Sequence, residues 1–123
     1  MNKFFEFSQN NSGGSFDGFA RFVFIQARNA DDANARAEKL GLYFDGCENG
    51  IDCDCCGDRW SRVYDKDGVA EEELRVYYRG KMVLVSEFDV QHTEQERRGG
   101  EIDLFRVYYA DGRVVYSSLG YRV

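Results

Sequence analysis

The chain has 123 residues, a formal net charge of −6 and no proline, and 15% of its residues are aromatic. This length suits one domain with its own core, and the lack of proline excludes a polyproline ligand or a proline-rich linker. No apolar run is long enough to span a membrane or to act as a secretory leader, and four cysteines fall within ten positions. These features predict a soluble protein of the reducing cytoplasm.

The first part of the chain predicts two β-strands at about residues 3–7 and 19–27, the second with apolar residues on both faces. A polar, glycine-rich loop at 8–18 joins them. Its hydroxyls, amides and glycines favour a phosphate or a small polar ligand such as a nucleotide. No helix follows the loop to bind an anion, so a purely structural loop is the alternative. The candidate ligand-binding residues are Ser8, Asn10, Asn11, Ser12, Gly13, Gly14 and Ser15.

One α-helix is predicted at about residues 30–40. Asn29 is a natural N-cap residue, and Gly41 ends the helical pattern. Acidic residues in the first turn complement the helix dipole. Small apolar residues repeat along one side of the helix and allow it to lie close against a sheet: Ala30, Ala33, Ala37 and Leu40.

The second half of the chain is typical of β structure. The tripeptide Arg-Val-Tyr occurs at 62–64, 75–77 and 106–108, and each copy precedes a predicted turn. We expect an α+β fold in one domain (1–123): an antiparallel sheet of about six or seven strands, one helix on a face, and a cysteine-rich acidic insertion at about 43–60. The predicted turns are centred on Asp67-Gly68, Arg79-Gly80 and Asp111-Gly112.

The spacing Cys53-x-x-Cys56, followed by Gly57, is that of a zinc knuckle, in which two thiolates point into a tight turn. A structural zinc site needs four ligands. Cys47 is the candidate third ligand, and Cys55 or His92 the candidate fourth. The alternative is a turn of similar shape whose thiols bind no metal and pack as small apolar groups.

The negative charge is concentrated between residues 43 and 73, a segment that contains ten acidic and three basic residues. This balance disfavours direct binding to nucleic acid and favours a protein partner with a basic surface. A solvated surface without a partner is the alternative. The only histidine lies in a charged connector, so we expect no enzyme. The candidate partner-binding residues are Asp45, Glu48, Asp52, Asp54, Asp58, Trp60, Asp65, Asp67, Glu71, Glu72 and Glu73.

Four stretches resemble a group of small uncharacterised proteins encoded by tailed bacteriophages. They are residues 4–16 (FFEFSQNNSGGSF), 30–38 (ADDANARAE), 41–46 (GLYFDG) and 55–60 (CCGDRW). The resemblance implies an accessory protein in the host cytoplasm that binds and inhibits a host protein, such as a defence or nucleic-acid-handling factor. A module that sequesters a nucleotide or a similar small molecule through loop 8–18, and a zinc-knuckle interaction domain, are the alternative functions.

Overall fold

The computed structural model describes residues 2–10, 20–52, 57–91, 101–117 and 119–122. These residues form an α+β fold with one α-helix, eight β-strands and three short 3-10 turns. The 3-10 turns are Asp65–Asp67, Glu71–Glu73 and Val85–Glu87. The longer elements are β1 (Lys3–Ser8), β2 (Ala20–Ala27), α1 (Ala30–Leu40), β3 (Arg75–Tyr78), β4 (Lys81–Leu84), β5 (Val90–Gln91), β6 (Glu101–Tyr108), β7 (Val114–Ser117) and β8 (Gly120–Arg122).

Six strands form a mixed main sheet in the order β1-β2-β6-β7-β5, with β8 paired to β6, while β3 and β4 form a separate hairpin sheet. The prediction of an antiparallel sheet is wrong at its centre, because β2 and β6 run parallel, with Ala20 opposite Asp103 and Ile25 opposite Tyr108. Parallel neighbours need a long crossover. Here α1 and the chain that follows it, including β3 and β4, provide that connection between β2 and β6.

The predicted helix is confirmed together with both of its ends. The Asn29 side chain accepts a hydrogen bond from the Asp32 N–H, and Gly41 takes a left-handed φ of 106° at the C-terminal end. The alanines of the predicted stripe are buried, whereas Leu40 is exposed. Since alanine side chains are short, the helix backbone lies close to β2.

The main sheet is buried on both faces. On one face, Val23 and Ile25 of β2 pack against α1 and the chain after it. On the other face, Phe22 and Phe24 pack against Leu74 and neighbouring residues of the segment that carries β3 and β4. The prediction that the second strand is buried on both sides is therefore confirmed.

Two of the three predicted turns close hairpins. Arg79 and Gly80 both have positive φ, 51° and 84°, and join β3 to β4. Gly112, with φ of 92°, lies in the loop between β6 and β7. The prediction for Asp67-Gly68 is wrong: Gly68 has φ of −68° and follows a 3-10 turn instead of closing a hairpin. No helix among the described residues is long and apolar enough to cross a membrane.

A rigid acidic strip beside two clefts

Two consecutive 3-10 turns, between Val63 of the core on the α1 side and Leu74 of the core on the other face, carry five exposed carboxylates. We call this set the acidic strip. Five negative charges and the single base Lys66 lie within nine residues of the chain. The 3-10 turns place successive side chains close together, so these charges are also close in space. The strip consists of Asp65, Asp67, Glu71, Glu72 and Glu73.

The first turn of the strip is fixed by hydrogen bonds to backbone amides. Asp65 Oδ1 accepts from the Ala30 N–H at 2.8 Å, which ties the turn to the first residue of α1. Asp67 Oδ2 accepts from the Tyr64 N–H at 2.8 Å. Both bonds satisfy amides that have no partner inside their own helical turn, so these carboxylates stabilise the fold while their charge stays at the surface.

The second turn is fixed in the same way at two of its three residues. Glu71 Oε2 accepts from the Tyr109 hydroxyl at 2.5 Å, and Glu73 Oε1 accepts from the Ala70 N–H at 3.3 Å. Glu72 is exposed and forms no hydrogen bond or ion pair with a residue in the described ranges. Its carboxylate is therefore the one in the strip that the fold does not use.

An acidic cleft of about 460 Å³ lies on one side of the strip. Its lining has three acids, Glu6 of β1, Asp67 and Glu73, and one base, Arg75, together with apolar residues such as Phe24 and Val69. Burial of the Glu6 carboxyl group raises its pKa, while the hydrogen bond from Ser8 Oγ lowers it. Glu6 lies outside the acidic segment of the sequence. It reaches these carboxylates because Phe4 of β1 forms an antiparallel β-bridge with Val69, which places β1 beside the strip.

A second cleft, the apolar cleft, lies on the other side of the strip and has a volume of about 370 Å³. Glu71, Glu72, Tyr109 and Arg113 stand at its rim. Its apolar lining comes from the residue that follows the strip, from the third 3-10 turn and the residue after it, and from three strands of the main sheet. These lining residues are Leu74, Val85, Phe88, Val90, Val107 and Val115.

Tyr109 connects the rim of the apolar cleft to the acidic strip. Burial of its hydroxyl, together with the hydrogen bond to Glu71, raises the pKa of Tyr109 from 10.0 to about 12. The hydroxyl therefore remains a donor at neutral pH and holds the Glu71 carboxylate as an acceptor. The Arg113 guanidinium lies 3.9 Å from the centre of the Tyr109 ring, in the geometry of a cation–π contact, and its Nε lies 3.9 Å from Asp111 Oδ2.

The acidic residues that precede Trp60 are distributed differently. Asp52 is buried, with 2% of its side chain exposed, and accepts hydrogen bonds from Tyr43 Oη and the Arg59 N–H, both at 2.8 Å. Asp58 Oδ1 accepts from the Cys47 N–H at 2.9 Å. Asp45 pairs with Arg62 at 2.8 Å and Glu48 is exposed, whereas Asp54 lies outside the described residues.

Two of the candidate partner-binding residues are therefore corrected. Trp60 is 5% exposed and packs in the core beneath α1, so it is not a surface anchor. Asp52 cannot present its carboxylate to a partner because it is enclosed by its own donors. The sequence shows an aromatic and an acid in a polar segment, which is equally typical of surface and of core; burial decides between the two.

Most of the predicted metal and ligand residues lie outside the described residues. These are Cys53, Cys55, Cys56 and His92 of the zinc site and Asn11, Ser12, Gly13, Gly14 and Ser15 of the glycine-rich loop. Cys47 is half-buried, and in the part of the chain that the structure describes no three metal-binding side chains come together. Ser8 bonds to Glu6, and Asn10 bonds through its N–H to the Arg59 carbonyl at 2.8 Å. Zinc binding and nucleotide capture stay predictions.

The chain belongs to the family described as "Domain of unknown function (DUF7296)", which matches residues 2–121. The match covers both layers of the fold and both clefts. No curated protein matches the chain. No solved structure matches it either.

Proposed function

We propose that this protein is a non-enzymatic binding protein that captures a partner with a basic surface through the acidic strip. The observation that carries the proposal is that four of the five carboxylates, all except Glu72, are held by hydrogen bonds to the fold. Charges that are already fixed lose little conformational freedom on binding, and a concentrated patch of one sign accelerates the encounter with an oppositely charged surface.

The sign of the strip supports a protein partner. A nucleic acid presents phosphates, which five carboxylates repel, whereas a protein that itself grips phosphates presents the lysines and arginines that the strip attracts. The resemblance of residues 4–16, 30–38, 41–46 and 55–60 to small proteins of tailed bacteriophages supports a host protein as the partner. On this proposal, the strip occupies the host protein's basic groove and inhibits it.

Capture from host lysate at low and moderate salt tests the proposal. We expect one stoichiometric partner, whose measured association rate falls with added salt and falls again with Glu72→Lys. Lys66→Glu adds a negative charge to the strip and should have the opposite effect on the rate. Glu38→Lys is the matched control, since Glu38 is exposed but lies on α1, outside the candidate binding residues. Recovery of no stoichiometric partner at either salt concentration would overturn the proposal.

A further inference from the structure

The apolar cleft has room for a large apolar side chain of a partner. Its volume of about 370 Å³ lies at the lower end of the range of about 300–1,000 Å³ found for ligand pockets. Three of its lining residues, Leu74, Val107 and Val115, belong to the core on the face of the main sheet away from α1. Phe88, which also lines the cleft, packs against that core. A large aliphatic or aromatic side chain placed there would extend a core that the protein has already built.

The charges around the cleft are unequal. Glu71, Glu72 and Arg113 all line the cleft, so two negative charges meet one positive charge there. The Arg113 charge is partly balanced by Asp111, 3.9 Å away, and its guanidinium lies over the Tyr109 ring. The Glu72 carboxylate has no such counter-charge among the described residues. The rim therefore carries an excess of negative charge directly beside an apolar floor.

We infer that the apolar cleft binds a segment of the partner in which a large apolar side chain lies next to lysine or arginine. The apolar side chain fills the space over Leu74 and Phe88, and the neighbouring cation pairs with Glu72 and Glu71. This inference rests on the proposed function and names the part of the partner that the acidic strip would hold in place. Charge complementarity favours a basic peptide, since an acidic one would meet the same carboxylates.

Selection from a phage-displayed library of random peptides against the whole protein tests the inference. We expect the enriched peptides to carry a leucine, isoleucine, phenylalanine or tryptophan beside lysine or arginine. The best peptide, made with a fluorescent label, is then titrated with wild type and variants by fluorescence anisotropy. Replacing its apolar residue by alanine should weaken binding by about tenfold or more, the usual cost of removing a buried anchor.

Two variants locate the peptide on the surface. Ser86→Trp places a bulky ring at the exposed wall of the cleft and should abolish binding without disturbing the core, since Ser86 is exposed. Glu72→Lys should weaken binding several-fold through charge reversal. Glu38→Lys, at an exposed position on α1 outside the candidate binding residues, is the charge-matched control and should change the affinity little.

Each outcome separates the two proposals. Enrichment of peptides without the apolar–basic pair, no enrichment at all, or binding that is insensitive to Ser86→Trp would overturn the assignment of the cleft. If those peptides still respond to Glu72→Lys and to salt, the acidic strip remains the binding surface and only the cleft is wrong. If the peptides bind as expected but no host protein is captured from lysate, the proposed function falls while the cleft remains a peptide site.

Discussion

The buried carboxylate of Asp52 organises the chain between α1 and Trp60, and its removal is the most informative test of this region. Its two oxygens accept from Tyr43 Oη and from the Arg59 N–H, and the Arg59 Nε lies 3.9 Å from Oδ1. The close approach of Gly46 adds a constraint, because a Cβ at that position would overlap the Asp52 carboxylate. Asp52→Ala therefore removes the acceptor around which two separate stretches of chain converge.

The expected cost follows from these contacts. A hydrogen bond to a charged group is worth about 1.5–3 kcal/mol, so the loss of two predicts about 3–6 kcal/mol. Removing one partner of a buried ion pair costs about 3–5 kcal/mol. Arg59 keeps its bond to Gln9 Oε1 at 2.8 Å, so it is not left without a partner. We expect Asp52→Ala to cost about 3–4 kcal/mol, a large share of the total of about 5–15 kcal/mol typical of a domain.

Urea unfolding followed by the fluorescence of the single tryptophan, Trp60, measures this cost directly. The midpoint should fall while the slope of free energy against urea stays unchanged. Tyr43→Phe, which removes one donor, should cost about 1–2 kcal/mol, and the exposed control Glu48→Gln should stay within about 0.5 kcal/mol. A loss below about 1 kcal/mol for Asp52→Ala would refute the reasoning, since a buried and doubly bonded carboxylate cannot be that dispensable.

Three further predictions concern the helix, the rim tyrosine and the thiols. Asn29→Ala removes the N-cap of α1 and should lower the free energy of unfolding by about 1 kcal/mol in the same urea assay; an unchanged midpoint would contradict the cap. Because the folded-state pKa of Tyr109 is raised above 10.0 to about 12, its contribution to stability is complete below pH 10 and is lost as the pH rises towards 12. Tyr109→Phe should flatten that part of the stability–pH curve, whereas an equally steep curve in the variant would exclude Tyr109 as its source. If the knuckle binds zinc, elemental analysis should find about one zinc per chain, and Cys53→Ser or Cys56→Ser should release it and lower the melting temperature; well under one zinc per chain would remove the metal hypothesis.

Features that depend on neighbouring residues could be predicted from the sequence. The helix is specified by a cap, a charged first turn and a terminal glycine within thirteen residues, Asn29 to Gly41, and the structure reproduces its bounds. The Arg79-Gly80 turn was predictable for the same reason, since glycine accepts the positive φ that a two-residue hairpin needs. The same reasoning predicted a hairpin turn at Gly68 and failed there. Gly68 has a negative φ, which any residue can adopt, so the presence of a glycine does not indicate a hairpin at that position.

Features that depend on distant pairing could not be predicted. The parallel contact between β2 and β6 joins Ala20 to Asp103 across most of the chain. Both strands read as ordinary apolar strands, and their alternation is the same for parallel and antiparallel neighbours. The clefts escaped prediction for a related reason. Glu6 reaches the acidic strip, and Tyr109 reaches Glu71, only after β1 and the β6–β7 loop have been placed by the sheet.

The acidic segment shows why charge counted along a sequence overstates a binding surface. The Asp52 carboxylate is buried, and the Asp58 carboxylate accepts a hydrogen bond from the Cys47 N–H. In the strip, by contrast, hydrogen bonding to an amide or a hydroxyl leaves the negative charge at the surface while fixing its position. The structural use of these acids and a binding role are therefore compatible there. Glu72 allows the structural role and the binding role to be tested separately, because its carboxylate forms no hydrogen bond or ion pair with the described residues. A change in partner affinity caused by Glu72→Lys therefore reports on binding and not on a lost contact within the fold.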